Sequence, residues 1–253
     1  MNNKQRGDAP KRVDARVDAR ADTRAAASRR TGAATKWVRS PAAQERRLRQ
    51  VEMKRGFILA AALECFSRAG LHGTSLEQVA ARGDVSKSNL LYYFKSKEDL
   101  YVAVLSELMD EWLAPLRAFS ADQEPAAAIR EYIRLKLELS RDRPDASRLF
   151  CLEMIQGAPL LRQELERSLR EIVREKSGVI RAWIAAGKLA AVDPHHLIFA
   201  LWALTQHYAD FAVQVESVTG KTLDDPAFFA QALASVQALV LNGVAAHGVH
   251  ATA

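Results

Sequence analysis

The sequence predicts an all-α protein of about nine helices, and three observations lead there. Prolines stand at the head of one apolar stretch after another. No strand-like alternation with hairpin signals occurs along the 253 residues. One short segment reads as two helices folded about a tight turn. The expected organisation is a disordered basic N-terminal tail over 1–49, a helix-turn-helix domain over 50–96, and a helical ligand-binding and dimerisation domain over 97–247.

The tail comes first. Residues 1–50 carry 14 Lys/Arg against 5 Asp/Glu, while the other 203 residues hold the remaining 22 of 36 basic and 25 of 30 acidic side chains. The basic character therefore belongs to the tail, and the body is mildly acidic. Val13-Asp14-Ala15-Arg16 repeats as Val17-Asp18-Ala19-Arg20, followed by the near-copy Ala21-Asp22-Thr23-Arg24. So little apolar surface cannot offset the entropy of ordering, so disorder is expected. Lys36, Arg39, Arg46, Arg47 and Arg49 suit an arm lying along DNA phosphates or a minor groove. A solvated leader without a task is the alternative, and the repeat has no assigned role.

A first helix is expected near 50–69. Thr74 or Ser75 then caps a second, near 75–82, with Gln78 placed as in a capping box. Leu76, Val79 and Ala80 form its apolar stripe. Gly83-Asp84 ends it, Val85 packs the turn, and Ser86 caps a third helix near 86–93. The small, polar and cationic residues opening that helix fit beside base edges and phosphates when a helix N-terminus enters a major groove. Two short helices around a glycine turn also occur in all-α proteins that never touch nucleic acid. The sequel favours DNA: Tyr92-Tyr93-Phe94 can brace the reading helix, while a phenol and Lys97 reach the sugar-phosphate backbone. The DNA-facing set is Thr74, Ser86, Lys87, Ser88, Asn89, Tyr92, Tyr93 and Lys97.

Phe57-Ile58-Leu59-Ala60-Ala61-Ala62 through Phe66, Gly70 and Gly73-Thr74, then Val85-Ser86-Lys87 to Tyr92-Tyr93-Phe94-Lys95-Ser96-Lys97-Glu98, resemble the TetR family of one-component bacterial repressors. Trp112 to Leu116, Glu131 to Glu138, Ala146 to Cys151 and Thr205 to Glu216 are similar to the pyrimidine-utilisation repressors within that family. The resemblance spans residues 50–245. It implies a homodimer whose last two helices form a four-helix bundle with their copies. Two-fold symmetry in turn implies a palindromic operator DNA.

The fourth helix, near 96–119, contains Pro115, which removes a backbone bond and either bends the helix or shapes the core. Helices near 125–141, 144–156, 159–186, 194–218 and 226–245 each open on a proline: Pro125, Pro144, Pro159, Pro194 and Pro226. Asp193 and Asp225 are their N-caps in the last two cases. Gly187 can end the helix before it. Leu197, Ile198, Leu201, Leu204, Phe211 and Val215, with Phe228, Leu233, Val236, Leu239 and Val240, give the final helices broad apolar faces.

Several function classes fall away. No run approaches the roughly 20 apolar residues of a membrane span, and the N-terminus lacks an apolar signal core. A cytoplasmic protein without a membrane partner is expected, with Cys65 and Cys151 as ordinary buried thiols. There is no Gly-rich phosphate loop, no His-Glu-x-x-His and no Cys-x-x-Cys, so no catalytic residue, metal or cofactor is expected. His195 and His196 point roughly 100° apart on a helix, a poor chelate. His207 and Asp210 suit a hydrogen bond.

A ligand site does stand out. Trp202 and Gln206 are four apart and share a helix face, Trp112 lies on another helix, and Phe150 and Tyr208 complete the set. An indole can cover the face of a flat heterocycle while a carboxamide pairs with its edge, matching one donor and one acceptor. The family resemblance names the effector as uracil, with thymine less effective. A Gln amide can also present the reverse pattern, so its neighbours must fix it. Packing at a dimer interface is the plainer explanation of the same residues. The expected function is a non-enzymatic repressor of pyrimidine-utilisation genes, released from DNA by uracil. Rival readings are the same architecture sensing a hydrophobic or drug-like molecule, and a helical small-molecule-binding protein with no DNA role.

Overall fold

A computed structural model describes residues 41–245, and every regular element within them is helical. Among the described residues there are ten helices: α1 Pro41–Gly73, α2 Leu76–Arg82, α3 Lys87–Tyr93, α4 Lys97–Arg117, α5 Pro125–Asp142 and α6 Pro144–Ile155. Next, Arg162–Glu164, the π-helical turn Leu165–Leu169 and Arg170–Ala185 run on without a break as α7. The last three are α8 Pro194–Asp210, α9 Ala212–Thr219 and α10 Pro226–Val244.

The expected tail needs correction at its inner edge. Lys36, Arg39 and the Asp-Ala-Arg repeat lie outside the described residues, but 41–49 is already helix. Pro41 sits where its missing N–H costs nothing, strong helix formers follow it, and Glu45 pairs with Arg49 at 3.9 Å one turn on. Arg46, Arg47 and Arg49 are therefore carried on α1. That helix breaks at Gly70, whose φ of 68° lies in the left-handed region glycine adopts at little cost.

The expected starts and stops otherwise hold closely. Ser75 and Gln78 close a reciprocal capping box, with bonds of 3.2 and 2.8 Å. Ser86 accepts from the Asn89 N–H at 3.1 Å, and Asp193 and Asp225 cap α8 and α10. Pro125, Pro144, Pro194 and Pro226 open their helices. Pro159 does not. Gly157 and Ala158 take φ of 86° and 53°, and the loop is tied back to Glu153, so α7 starts only at Arg162. The single helix expected over 194–218 divides at Phe211, whose ψ of 34° ends α8. Helix α4 continues through Pro115 to Arg117.

Burial separates two apolar cores. The head core joins Ile58, Phe66, Val79, Leu90 and Leu100 from α1–α4; the body core joins Ile133, Leu137, Ile180, Trp183, Leu201 and Val236 from α5, α7, α8 and α10. Helix α5 packs against α4, α8 and α10, and α6 packs against α1, α4 and α8. The 19-residue α10 is long and apolar enough to cross a membrane, which corrects the sequence reading. Its Ala232, Val236, Val240 and Val244 are buried against the body, while Leu239 is 68% exposed.

Head and body are joined by a buried polar link. Glu153 of α6 is 2% exposed and accepts from the Tyr101 hydroxyl of α4 at 3.2 Å and the Leu160 N–H at 3.0 Å. Tyr101 also meets Phe66 of α1 edge-on at 5.0 Å. Burial and the neighbouring carboxylate push the Tyr101 phenol well above its ordinary range. Glu153→Ala would strand two donors at a cost of about 1–3 kcal/mol each. The expected outcome in urea denaturation is a loss of about 2–4 kcal/mol at unchanged m-value, and an unmoved midpoint would refute it.

Candidate DNA-reading head and buried pocket

Helices α2 and α3 meet at a turn in which Gly83 allows a close approach. A Cβ there would lie 3.3 Å from the Ala61 Cβ of α1. Asp84 follows in the left-handed region at φ 50°, a conformation Asp tolerates better than most residues. The turn thus seats α3 on the head core through Leu90, which is fully buried. Ser86, Lys87 and Ser88 are exposed, Asn89 is half-buried, and Tyr92 is 73% exposed. Tyr92 rests edge-on against Tyr93 at 5.3 Å. Ser86 to Asn89 open α3, and Tyr92 and Tyr93 close it.

Two of the residues expected to face DNA are held within the protein. Lys87 Nζ pairs with Glu77 of α2 at 2.6 Å, which lowers the Glu77 carboxyl. Lys97 Nζ donates to the Thr74 carbonyl at 2.9 Å. Thr74 itself departs from the sequence expectation. It is 3% exposed, and its hydroxyl donates to the carbonyls of Gly70 at 2.8 Å and Cys65 at 3.2 Å. The break at Gly70 frees carbonyls that need a donor, and Thr74 supplies it, so its side chain faces α1.

Trp112, Phe150, Trp202 and Gln206 do converge. An inner recess of about 60 Å³ is lined by Trp112 of α4, Lys136 of α5, Phe150 of α6, Leu169 of α7, and Trp202 and Gln206 of α8. It adjoins a cleft of about 400 Å³ that shares Phe150, Leu169, Trp202 and Gln206 and adds Cys151, His207, Asp210 and Phe211. Tyr208 is not part of either wall. Two positions past Gln206 on a helix it points to a different side, and it packs edge-on against Phe228 of α10 at 6.2 Å. His207 stacks on Phe211 at 5.2 Å, and Asp210 instead takes the Ser147 hydroxyl of α6, correcting the expected His207–Asp210 bond.

Lys136 is the pocket residue the sequence reading passed over. It is 1% exposed, with its Nζ 3.8 Å from the centre of the Trp112 ring, a cation–π arrangement. Burial lowers its ammonium to about 7, opposed by the Asp210 carboxylate. Asp210 is itself raised by burial, which the bonds from Ser147 and Cys151 and the charge of Lys136 only partly offset. A signal existed: Lys136 follows Ile129, Tyr132 and Ile133 on the buried stripe of an otherwise charged helix. The Trp112 Nε1 and the Tyr132 hydroxyl are also buried without a hydrogen-bond partner. Leu169 was unforeseen for another reason, since it closes the π-helical turn of α7, a local widening common at functional sites. Among the described residues no group of three or more His, Cys, Asp or Glu could hold a metal ion, and both cysteines are free thiols.

Comparisons with known proteins bear on both regions. Residues 58–104 match the family described as bacterial regulatory proteins, tetR family, and residues 105–247 match the YcdC-like protein, C-terminal region. The HTH-type transcriptional regulator RutR of Escherichia coli (strain K12) is 59% identical over 199 residues, covering 79% of this chain and 94% of that protein. The HTH-type transcriptional repressor NicS of Pseudomonas putida is 30% identical over 145 residues, covering 56% and 66%. A transcriptional regulator of known structure from Streptomyces coelicolor is similar in fold, with a TM-score of 0.60 at 23% identity, covering 77% of this chain and 99% of the other. A TetR-like regulator from Rhodococcus has a TM-score of 0.55 at 19% identity, covering 75% and 94%. The chain belongs to the TetR family and is a DNA-binding transcriptional regulator.

Proposed function

We propose that this regulator represses pyrimidine-utilisation genes and leaves its operator when uracil, or more weakly thymine, occupies the pocket. The observation that carries the reading is the convergence of Trp112, Phe150, Trp202 and Gln206, from three helices, on one largely apolar recess. Two indoles can cover the faces of a planar ring, and the amide pairs with its edge. A recess of about 60 Å³ is tight for a six-membered ring, so occupancy has to move walls carried by α4 and α6. Ligand binding therefore favours one arrangement of those helices over another, the differential affinity that release requires. A larger apolar ligand is the competing reading, favoured by the volume of the outer cleft.

The reading head uses Ser86, Lys87, Ser88, Asn89 and Tyr92 toward DNA, with Tyr93 and Lys97 at the backbone. Lys87 exchanges Glu77 for a phosphate, an ion-pair swap that costs little at an exposed site. TetR regulators bind operator DNA as dimers. In this chain α8 and α10 offer the self-complementary face, where Phe199 and Leu239 are 50% and 68% exposed. A palindromic operator in cytoplasmic DNA follows from that symmetry.

Calorimetry with uracil, thymine and cytosine decides the effector: heat is expected for uracil, and none at millimolar concentration removes the pyrimidine reading. Gln206→Ala should keep operator affinity in a gel shift yet need at least about tenfold more uracil for release, because the ligand edge loses its partner. An unchanged release curve would clear Gln206. Lys87→Ala and Tyr92→Ala should each weaken the shift by about tenfold, with a shallower salt dependence for the lysine variant. Undiminished binding in both would take α3 out of the groove.

A further inference from the structure

Lys136 is a charged donor set in a wall where every other lining side chain except Gln206 is apolar or indole. Its surroundings supply partial compensation only. The Trp112 face lies 3.8 Å away, and Asp210 acts on it at Coulombic range without a hydrogen bond. A donor this buried costs free energy until an oxygen reaches it. The depressed ammonium is the same imbalance seen from the proton's side. Asp210 is drawn toward α6 by bonds from Ser147 and Cys151 and makes none with Lys136.

We infer that Lys136 is a specificity-determining contact of the effector, its Nζ donating a hydrogen bond to one ring carbonyl oxygen. The inference rests on the pyrimidine reading above and adds what that reading lacks. Gln206 can satisfy one N–H and one adjacent C=O of a uracil ring, which leaves the second carbonyl without a partner. Lys136 and Gln206 line the same recess, so the two donors can serve the two carbonyls at once. To make this bond, Nζ moves off the indole face, vacating the surface on which the ring stacks. The lysine therefore keeps the Trp112 site covered until a ligand offers an oxygen in exchange. A flat apolar molecule of equal size could displace it only by leaving it unpaired.

The test combines ligand and side-chain deletions at one atom. Uracil, 2-thiouracil and 4-thiouracil are titrated calorimetrically into the wild-type chain and into Lys136→Met, which keeps the length and removes the donor. Sulfur is a poor acceptor, so both thio analogues should bind the wild type at least about fivefold more weakly than uracil. Lys136→Met should bind uracil at least about tenfold more weakly, with a melting temperature no lower than the wild type, and one of the two thio penalties should vanish. If the variant binds uracil within twofold of the wild type and both penalties persist, Lys136 makes no such bond. If neither thio analogue is penalised in the wild type, the inference fails without reference to any variant. Absence of uracil binding to the wild type would overturn the pyrimidine reading together with this one, so the two failures are told apart.

Discussion

The packing of α4 into both apolar cores is the constraint on which the rest of the molecule depends. Leu100, Tyr101, Val104, Leu105 and Leu108 belong to the head core, and Met109, Leu113 and Leu116 belong to the body core. Trp112 joins the head cluster while forming part of the pocket wall. Phe150 and Leu165 pack against both cores. A close-packed interior transmits displacement instead of absorbing it, so a shift of α4 at the recess is felt around Phe66 and Leu90. The Tyr101–Glu153 bond stiffens the same junction from the side of α6. Head core, body core and recess thus share one helix.

The second theme is how this body handles polar groups in an apolar setting. Ser140 donates to the Thr205 carbonyl at 2.9 Å, tying α5 to α8, and Ser147 ties α6 to Asp210 at the end of α8. These bonds fix three walls of the pocket relative to one another. Against that satisfied background, the buried Trp112 Nε1 and Tyr132 hydroxyl remain unpaired, and Lys136 is only partly compensated. Trp112 and Lys136 line the recess, and Tyr132 stands one turn before Lys136 on α5. Ser177 Oγ and Trp183 Nε1 of α7 are buried without a partner as well, so Lys136 is set apart not by being unsatisfied but by lining the recess.

Much of this was legible in the chain because its signals are local. The capping box of Ser75 and Gln78, the Asp193 and Asp225 caps and four of the five helix-opening prolines act within a turn of themselves, and each works as the sequence suggests. The i, i+4 relation of Trp202 and Gln206 fixed their shared face in the same way. Tertiary effects were not legible. Thr74 is turned inward by a helix break four residues away, and Tyr208 is claimed by a helix about twenty residues further on. Lys136 was hidden by its type, since a lysine is ordinarily read as surface, and only the phase of α5 reveals it as interior. The Pro159 loop depends on a carboxylate from the preceding helix, and the π-helical turn leaves no compositional trace.

The outer side of α10 carries a further consequence. This helix is long and strongly apolar, yet only its Ala232, Val236, Val240 and Val244 are covered by the body, so much of its circumference is open. In a family whose members act as dimers, an open apolar strip of this size is the kind of surface that association covers. For any regulator that must pair, dilution removes dimers with the square of free protomer concentration, while an uncovered apolar strip favours aggregation as concentration rises.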